Sequence, residues 1–168
     1  MTTPRFHTVI FDCDSTLSAI EGIDELAAGR RREIAALTEG RRDVGAVATF
    51  VGMVRDLNEG ARVTRMTLEH YPGMTERALQ KICAEAARRW DLLDMRVVHR
   101  VGPLEPGDAI VLVAVSSAHR GEAFEACEFI MDYLKTQAPF WKKEETPEGT
   151  RWVEAKATDD QAAERWKP

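Results

Sequence analysis

After Val44 the chain consists mainly of short segments with the alternating or continuously apolar pattern of β-strands, and only two long helical patterns interrupt them. The strand-like segments are VGAVATFVGMV (44–54), RVTRMTLEHY (62–71), MRVVHRVG (95–102), AIVLVAVSSA (109–118) and two short runs within FWKKEETPEGTRWVEA (140–155). Turn sequences such as DLNEGA and PLEPGD join neighbouring strands, as antiparallel connections do. The pattern therefore predicts an α+β sandwich rather than a doubly wound parallel sheet.

The two long helical patterns each carry an apolar stripe. TERALQKICAEAARRW (75–90) is the first, and GEAFEACEFIMDYLKTQA (121–138) is the second and ends before Pro139. The residues expected to face inward are Leu79, Ile82, Cys83, Ala86, Ala87 and Trp90 in the first, and Phe124, Cys127, Ile130, Met131 and Leu134 in the second. DDQAAERW (159–166) predicts a last short helix.

The composition is that of a globular domain, with 30% charged residues in 168 and no apolar run long enough to cross a bilayer. The net charge of −5 argues against nonspecific binding of nucleic acid, which needs a basic surface. Cys13, Cys83 and Cys127 are widely spaced, which fits neither a disulfide framework nor a zinc site. We therefore expect a cytoplasmic protein, with Cys83 and Cys127 as buried structural thiols.

The first 43 residues have a different character. The apolar strand RFHTVIF (5–11) leads into FDCDSTL, where Asp12 and Asp14 are one residue apart, and a helical pattern with arginine clusters follows. FDCDSTL resembles the first motif of the haloacid dehalogenase-type phosphatases, phosphoserine phosphatase most of all. That resemblance would make Asp12 the nucleophile and Asp14 the acid. Such enzymes also need a magnesium-binding acidic pair, and the later pair Asp159–Asp160 follows no apolar strand.

From Gly45 onward a second resemblance covers about three quarters of the chain. The sequence is similar to the large, catalytic subunits of molybdopterin synthase in GAVATFVGMVRD, LEHYPGMTERAL, HRVGPLEPGD, SSAHRGEAFEACEFIMDYLKTQAPFWKKE and TPEGTRWVEA. The resemblance implies an α/β hammerhead with an additional antiparallel sheet, here preceded by a short strand–helix segment. We accordingly divide the chain into a phosphatase-like remnant or connector, 1–43, and a large-subunit domain, 44–168.

The resemblance also implies a reaction and its partners. The family converts cyclic pyranopterin monophosphate, also called precursor Z, into molybdopterin by installing two dithiolene sulfurs. The sulfur arrives as a thiocarboxylate on the Gly-Gly tail of a small ubiquitin-like subunit. The large subunit forms a homodimer with a small subunit at each end, and the reaction requires no metal or other cofactor. No nucleic acid or membrane is involved.

Cationic side chains are the natural candidates for the site, because the substrate phosphate and the thiocarboxylate are both anionic. The resemblance makes Lys135 and Lys142 the catalytic pair, whereas position alone would leave both as solvated lysines. It assigns substrate binding to Arg55, His119, Arg120, Met131 and Lys156. His119 and Arg120 precede a helix, whose N-terminus favours an anion. Lys156 stands where the family commonly has arginine. Lysine retains the positive charge but cannot donate the two parallel hydrogen bonds of a guanidinium group.

Three functions remain open from the sequence. Sulfur transfer is the first, and a noncatalytic module that docks a ubiquitin-like tail is the second. A phosphatase that uses Asp12 is the third, although its remaining motifs are missing from the chain. For Lys135, the residues alone leave open whether it stabilises a developing negative charge as a cation, or acts as a base or nucleophile in its neutral form.

Overall fold

The computed structural model describes residues 29, 31–154 and 157–167 in full and the backbone of residues 5–12. The strands are β1 Arg5–Asp12, β2 Ala46–Met53, β3 Leu57–Asn58, β4 Ala61–Arg62, β5 Arg65–His70, β6 Leu92–Leu104, β7 Ala109–Ser117, β8 Phe140–Thr146 and β9 Gly149–Val153. The helices are α1, described over 31–36, α2 Met74–Arg89, α3 Arg120–Gln137 and α4 Ala157–Glu164. No helix among these residues is both long and apolar enough to cross a membrane.

The main sheet has the strand order β2-β7-β6-β5-β8-β9, and β1 adds to β6. Every pair along this path is antiparallel, whereas β1 runs parallel to residues 94–101 of β6. Strands β3 and β4 form a second, two-stranded antiparallel sheet. The predicted α+β class is confirmed, and so are the strand predicted for HTVIF and the short C-terminal helix.

Strand β6 continues further than the sequence indicated. Pro103 and Leu104 were expected in a turn, but both belong to the strand because β5 pairs with residues 102–104. Gly102 allows this extension, since its φ of 83° lies in the left-handed region that residues with a Cβ rarely adopt. One long strand therefore connects the β7 half of the sheet to the β5–β8–β9 half.

Helices α2 and α3 cover one face of the sheet and form the main core with it. The apolar stripe of α2 buries Leu79, Ile82, Cys83 and Ala86, and α3 buries Ala123, Ala126, Cys127, Ile130 and Leu134. Burial raises the pKa of the Cys127 thiol to about 11, which fits the structural role expected for it. Phe124, however, is 64% exposed, so its predicted inward orientation is wrong. The buried positions of α3 repeat from Ala123, and Phe124 lies outside that stripe.

The opposite face of the sheet is partly covered by the segment after α1. Leu37 is fully buried against Leu112 and Ala114 of β7. Beside it, Arg96 pairs with Asp94 at 2.6 Å and with Glu33 at 3.3 Å. The segment around residue 37 therefore packs directly on the sheet, and the proposed boundary at residue 43 stays a prediction.

Candidate active site

A small cavity of about 40 Å³ lies between the end of β2 and the middle of β8. Its polar lining consists of Arg55, Asn58, Lys142 and Glu144, and Met66 and Ile110 supply part of the apolar wall. Arg55 lies two residues after the end of β2. Lys142 and Glu144 are two residues apart on β8 and so share a face of the sheet. The structure thus brings two of the predicted site residues, Arg55 and Lys142, to one cavity.

The tight hairpin formed by β3 and β4 carries Asn58 to this cavity. Glu59 and Gly60 at its tip have φ values of 53° and 80°, the left-handed pair that a two-residue hairpin turn requires. The Asn58 side chain is buried, and its amide donates to both Glu144 carboxylate oxygens at 3.0 and 3.1 Å. The oxygen of the same side-chain amide, Asn58 Oδ1, accepts a hydrogen bond from Arg55 Nη2 at 3.2 Å. The hairpin therefore links Arg55 to Glu144.

Glu144 is the centre of the network, because it is 1% exposed and has three polar partners. Besides Asn58, it pairs with Lys142 Nζ at 2.7 Å and with Arg151 Nη2 of β9 at 3.2 Å. Burial alone would raise the pKa of this carboxyl group. Its three partners outweigh burial and lower the pKa below its usual value. Lys142 acts through a hydrogen bond and its charge, and Asn58 and Arg151 act through their hydrogen bonds. Glu144 is thus a buried anion that holds Lys142 at the cavity.

Lys135 lies in a more open setting. It belongs to the last turn of α3, and its ammonium group pairs with Asp159 of α4 at 3.1 Å. About half of the Lys135 side chain is exposed, and Asp159 is only partly covered. The end of α3 carries partial negative charge, which also favours a cation there. Lys135 is therefore held loosely, by one exposed ion pair and the helix end.

The remaining predicted residues lie elsewhere on α3. Met131 is one turn before Lys135 and is 8% exposed, so it belongs to the core more than to an open pocket. His119 is the N-cap residue of α3 and Arg120 is its first helical residue, and both are exposed. The His119 backbone N–H donates to Ser117 Oγ, which in turn lies 2.7 Å from Glu122 Oε2.

The two ends of α3 are far apart within one chain. Fifteen residues separate Arg120 from Lys135, which corresponds to about 22 Å along a helix. The two ends of the helix therefore have separate surroundings within one chain. The predicted residues thus fall into three places: the cavity, the C-terminal end of α3 and its N-terminal end. Lys156 lies outside the described residues.

Asn58, Glu144 and Arg151 were not predicted as site residues from the sequence. Asn58 sits in a turn sequence where asparagine is common, and Glu144 lies in the run KKEE, where any residue could be solvated. The one available signal was strand alternation, which places Glu144 on the same face as Lys142. Nothing local indicated that Asn58 would meet a residue 86 positions further along the chain.

The phosphatase-like motif lies almost entirely outside the described residues. Only the backbone of Asp12 is described, and Asp14 lies outside the described residues. Among the described side chains, no group of three or more His, Cys, Asp or Glu residues could hold a metal ion. The phosphatase hypothesis therefore rests on the motif alone.

Comparison with known proteins gives a consistent result. The model of the MoaE protein family matches residues 27–137, so the phosphatase-like motif lies outside the match. A molybdopterin synthase catalytic subunit from Ralstonia nicotianae is 65% identical over 134 residues, which cover 80% of this chain and 76% of that protein.

Solved structures agree with this match. The MoaE protein of molybdopterin biosynthesis from Burkholderia ambifaria is 52% identical, with a TM-score of 0.66 and 97% of each chain covered. Molybdopterin synthase from Staphylococcus aureus is 29% identical, with a TM-score of 0.70, and the comparison covers 92% of this chain and 98% of that one. The chain belongs to the MoaE protein family.

Proposed function

We propose that this chain acts as the catalytic subunit of a molybdopterin synthase. It transfers sulfur from the thiocarboxylated C-terminus of a small ubiquitin-like subunit to cyclic pyranopterin monophosphate and so forms the dithiolene of molybdopterin. The observation that carries this function is the 65% identity to a molybdopterin synthase catalytic subunit over most of the chain. The cavity that joins Arg55 to Lys142 supports it, because it offers two cations to anionic reactants.

In this proposal the two lysines share the chemistry. Lys142, fixed beside the buried Glu144, supplies a stationary positive charge for the substrate or for the oxyanion that develops during transfer. Lys135 leaves its partner Asp159 and approaches the thiocarboxylate of the small subunit. Each transfer leaves an ordinary carboxylate on the Gly-Gly tail. Glycine suits a tail that passes through a narrow channel, since it lacks a side chain.

His119 and Arg120 belong, in our proposal, to the site of the neighbouring protomer in a homodimer. The separation of about 22 Å between the ends of α3 supports this assignment, since it places His119 and Arg120 away from the immediate surroundings of Lys135 in the same protomer. Lys156 would reach the same neighbouring site, as the resemblance implies. The division at residue 43 and the cytoplasmic location stay predictions.

A reconstituted reaction tests the function directly. The purified chain is mixed with the thiocarboxylated small subunit and precursor Z, and molybdopterin formation is measured. A small subunit that ends in an ordinary carboxylate is the control for the sulfur source, and a tail lengthened by one residue after Gly-Gly is expected to block turnover. A stable complex of the two subunits that yields no molybdopterin would support the docking module instead and contradict the proposed reaction.

A further inference from the structure

His99 is a buried imidazole that the proposed chemistry does not use. It occupies the inner row of β6, where Met95, Val97 and Val101 are its neighbours at every second position, and it is 4% exposed. Burial lowers the pKa of His99 to about 4, so the ring is neutral near pH 7. A neutral imidazole in an apolar row can pack as a flat aromatic ring.

The orientation of this ring is fixed at both its edge and its face. Nδ1 donates to the carbonyl oxygen of Arg100 at 2.8 Å, because a carbonyl oxygen can only accept. The face of the ring stacks on Phe140, with the centroids 3.8 Å apart and the planes 14° from parallel. His70 of β5 stacks on Phe140 more distantly, at 6.4 Å. Of these two rings His99 is the closer to Phe140, which also packs against the main core.

Phe140 belongs to the connection between α3 and β8. Ala138 still donates to Leu134 O of the helix, and Phe140 N donates to Ala138 O at 2.9 Å as the strand begins. Between them, Pro139 O lies 3.3 Å from the buried Thr75 hydroxyl of α2. Residues 138–140, which we call the α3–β8 joint, are therefore fixed by contacts from α2 and β6.

The two lysines lie on opposite sides of this joint. Lys135 is three residues before it on the helix, and Lys142 is two residues after Phe140 on the strand. The conformation of the joint, together with the pairing of β8 with β5, therefore contributes to where one lysine lies relative to the other. A change in the position of the Phe140 ring would shift the start of β8 relative to the end of α3. The distance between the Lys135 and Lys142 side chains would then change.

We propose that His99 is a positioning residue for sulfur transfer, and that its ring, flat against Phe140, fixes the α3–β8 joint and so the relative placement of Lys135 and Lys142. The inference rests on the proposed function of the two lysines. It requires a planar side chain at position 99 rather than a proton, so a phenyl ring should replace the imidazole and a branched aliphatic side chain of similar size should not.

His99→Leu and His99→Phe form the matched pair that tests this, since both are apolar and differ in planarity. Turnover is measured with the thiocarboxylated small subunit and precursor Z, together with the melting temperature. We expect His99→Leu to lower kcat about tenfold with the KM for the small subunit nearly unchanged, since misplaced catalytic groups slow the chemical step. His99→Phe should keep kcat within about threefold of the parent, because the flat contact with Phe140 remains.

Two further variants separate positioning from general destabilisation. Leu112→Ala opens a cavity in the separate cluster with Leu37 and Ala114, on the other face of the sheet, and should lower the melting temperature with little change in kcat. Phe140→Leu removes the same stack from the other side. Combined with His99→Leu, it should add little further loss of kcat.

The proposal is overturned if His99→Leu retains the kcat of the parent, if His99→Phe loses as much as His99→Leu, or if Leu112→Ala loses activity in proportion to its melting temperature. It is equally overturned if the losses of His99→Leu and Phe140→Leu simply multiply. Failure of the proposed function gives a different result, since the parent chain itself would then form no molybdopterin. Failure of the lysine assignment alone would leave turnover in Lys135→Ala and Lys142→Ala.

Discussion

The two lysines of the proposed site have opposite surroundings. Lys142 lies on a strand and pairs at 2.7 Å with a carboxylate that is almost completely buried and has two other polar partners. Lys135 lies at a helix end, about half exposed, with one partner on the C-terminal helix. A buried, multiply bonded pair fixes its members, whereas an exposed pair contributes little and separates readily. The comparison assigns the stationary charge to Lys142 and the movable group to Lys135.

The largest effect is expected from Lys135→Ala. Removing the group that approaches the thiocarboxylate should lower molybdopterin formation by at least about 100-fold. The melting temperature should change little, because the exposed pair with Asp159 contributes only a small part of the stability. Turnover and a thermal melt of the same preparation check both statements.

Lys143→Ala is the matched control for Lys135→Ala. Lys143 lies 3.8 Å from the exposed Glu69 and over the ring of Trp152, on the other face of β8 from the cavity. Its removal should leave turnover close to that of the parent. Substantial turnover in Lys135→Ala would show that the movable lysine is dispensable and would reverse the comparison.

Lys142→Ala should lower turnover by about 10- to 100-fold, somewhat less than Lys135→Ala, because Arg55 still supplies charge to the cavity. Unlike Lys135→Ala, it should also lower the melting temperature by several degrees. Glu144 would remain buried with its closest cation removed, which is costly for a carboxylate. Equal melting temperatures for the two alanine variants would contradict the contrast between fixed and loose pairs.

The pH dependence of the melting temperature of Glu144→Gln tests whether the buried pair with Lys142 is the fixed one. Because the pKa of Glu144 is lowered in the folded chain, its stabilising effect is present above the unfolded value near 4.5 and is lost as pH falls through the lower folded value. Glu144→Gln should therefore have a melting temperature lower by roughly 5 °C near pH 7, since charge-assisted hydrogen bonds are lost.

The difference between Glu144→Gln and the parent should shrink below pH 4.5, as the carboxyl group of the parent takes up a proton. Turnover near pH 7 should fall several-fold, since Lys142 loses the ion pair with Glu144 that fixes its position. Glu145→Gln, one residue along on the other face of β8, is the control and should melt close to the parent. A constant difference across the pH range would mean that the Glu144 charge does not stabilise the fold.

Most of the fold followed from local pattern. Alternation located the strands and apolar spacing located α2 and α3, because each face of these elements is either buried or exposed along its whole length. The exceptions depend on partners distant in the chain. Strand β6 extends through Pro103 because β5 pairs with it there, and Phe124 is exposed because the stripe of α3 begins at Ala123.

Less of the site than of the fold could be predicted from the sequence. The lysines were identified by resemblance, but their surroundings depend on contacts between distant segments, such as Asn58 with Glu144 and Lys135 with Asp159. His99 gave a local signal, since it is a polar residue at a buried position of the alternating run MRVVHRVG. That signal could not identify Phe140 as the ring it contacts, because 41 residues separate the two.

The smallest effect is expected from Asp159→Asn. It removes the anion that pairs with Lys135 and leaves α4 in place, because Arg165 still bonds Asp132 and Trp166 still packs on Phe129. The melting temperature should therefore stay within about 2 °C of the parent. If Asp159 competes with the thiocarboxylate for Lys135, the variant should bind the thiocarboxylated small subunit up to about fivefold more tightly, with kcat unchanged.

Asp160→Asn, at the exposed neighbouring position, serves as the control and should match the parent. A tenfold or larger loss of kcat in Asp159→Asn alone would mean that Asp159 orients Lys135 during the reaction, and that the loosely held lysine is in fact a fixed one.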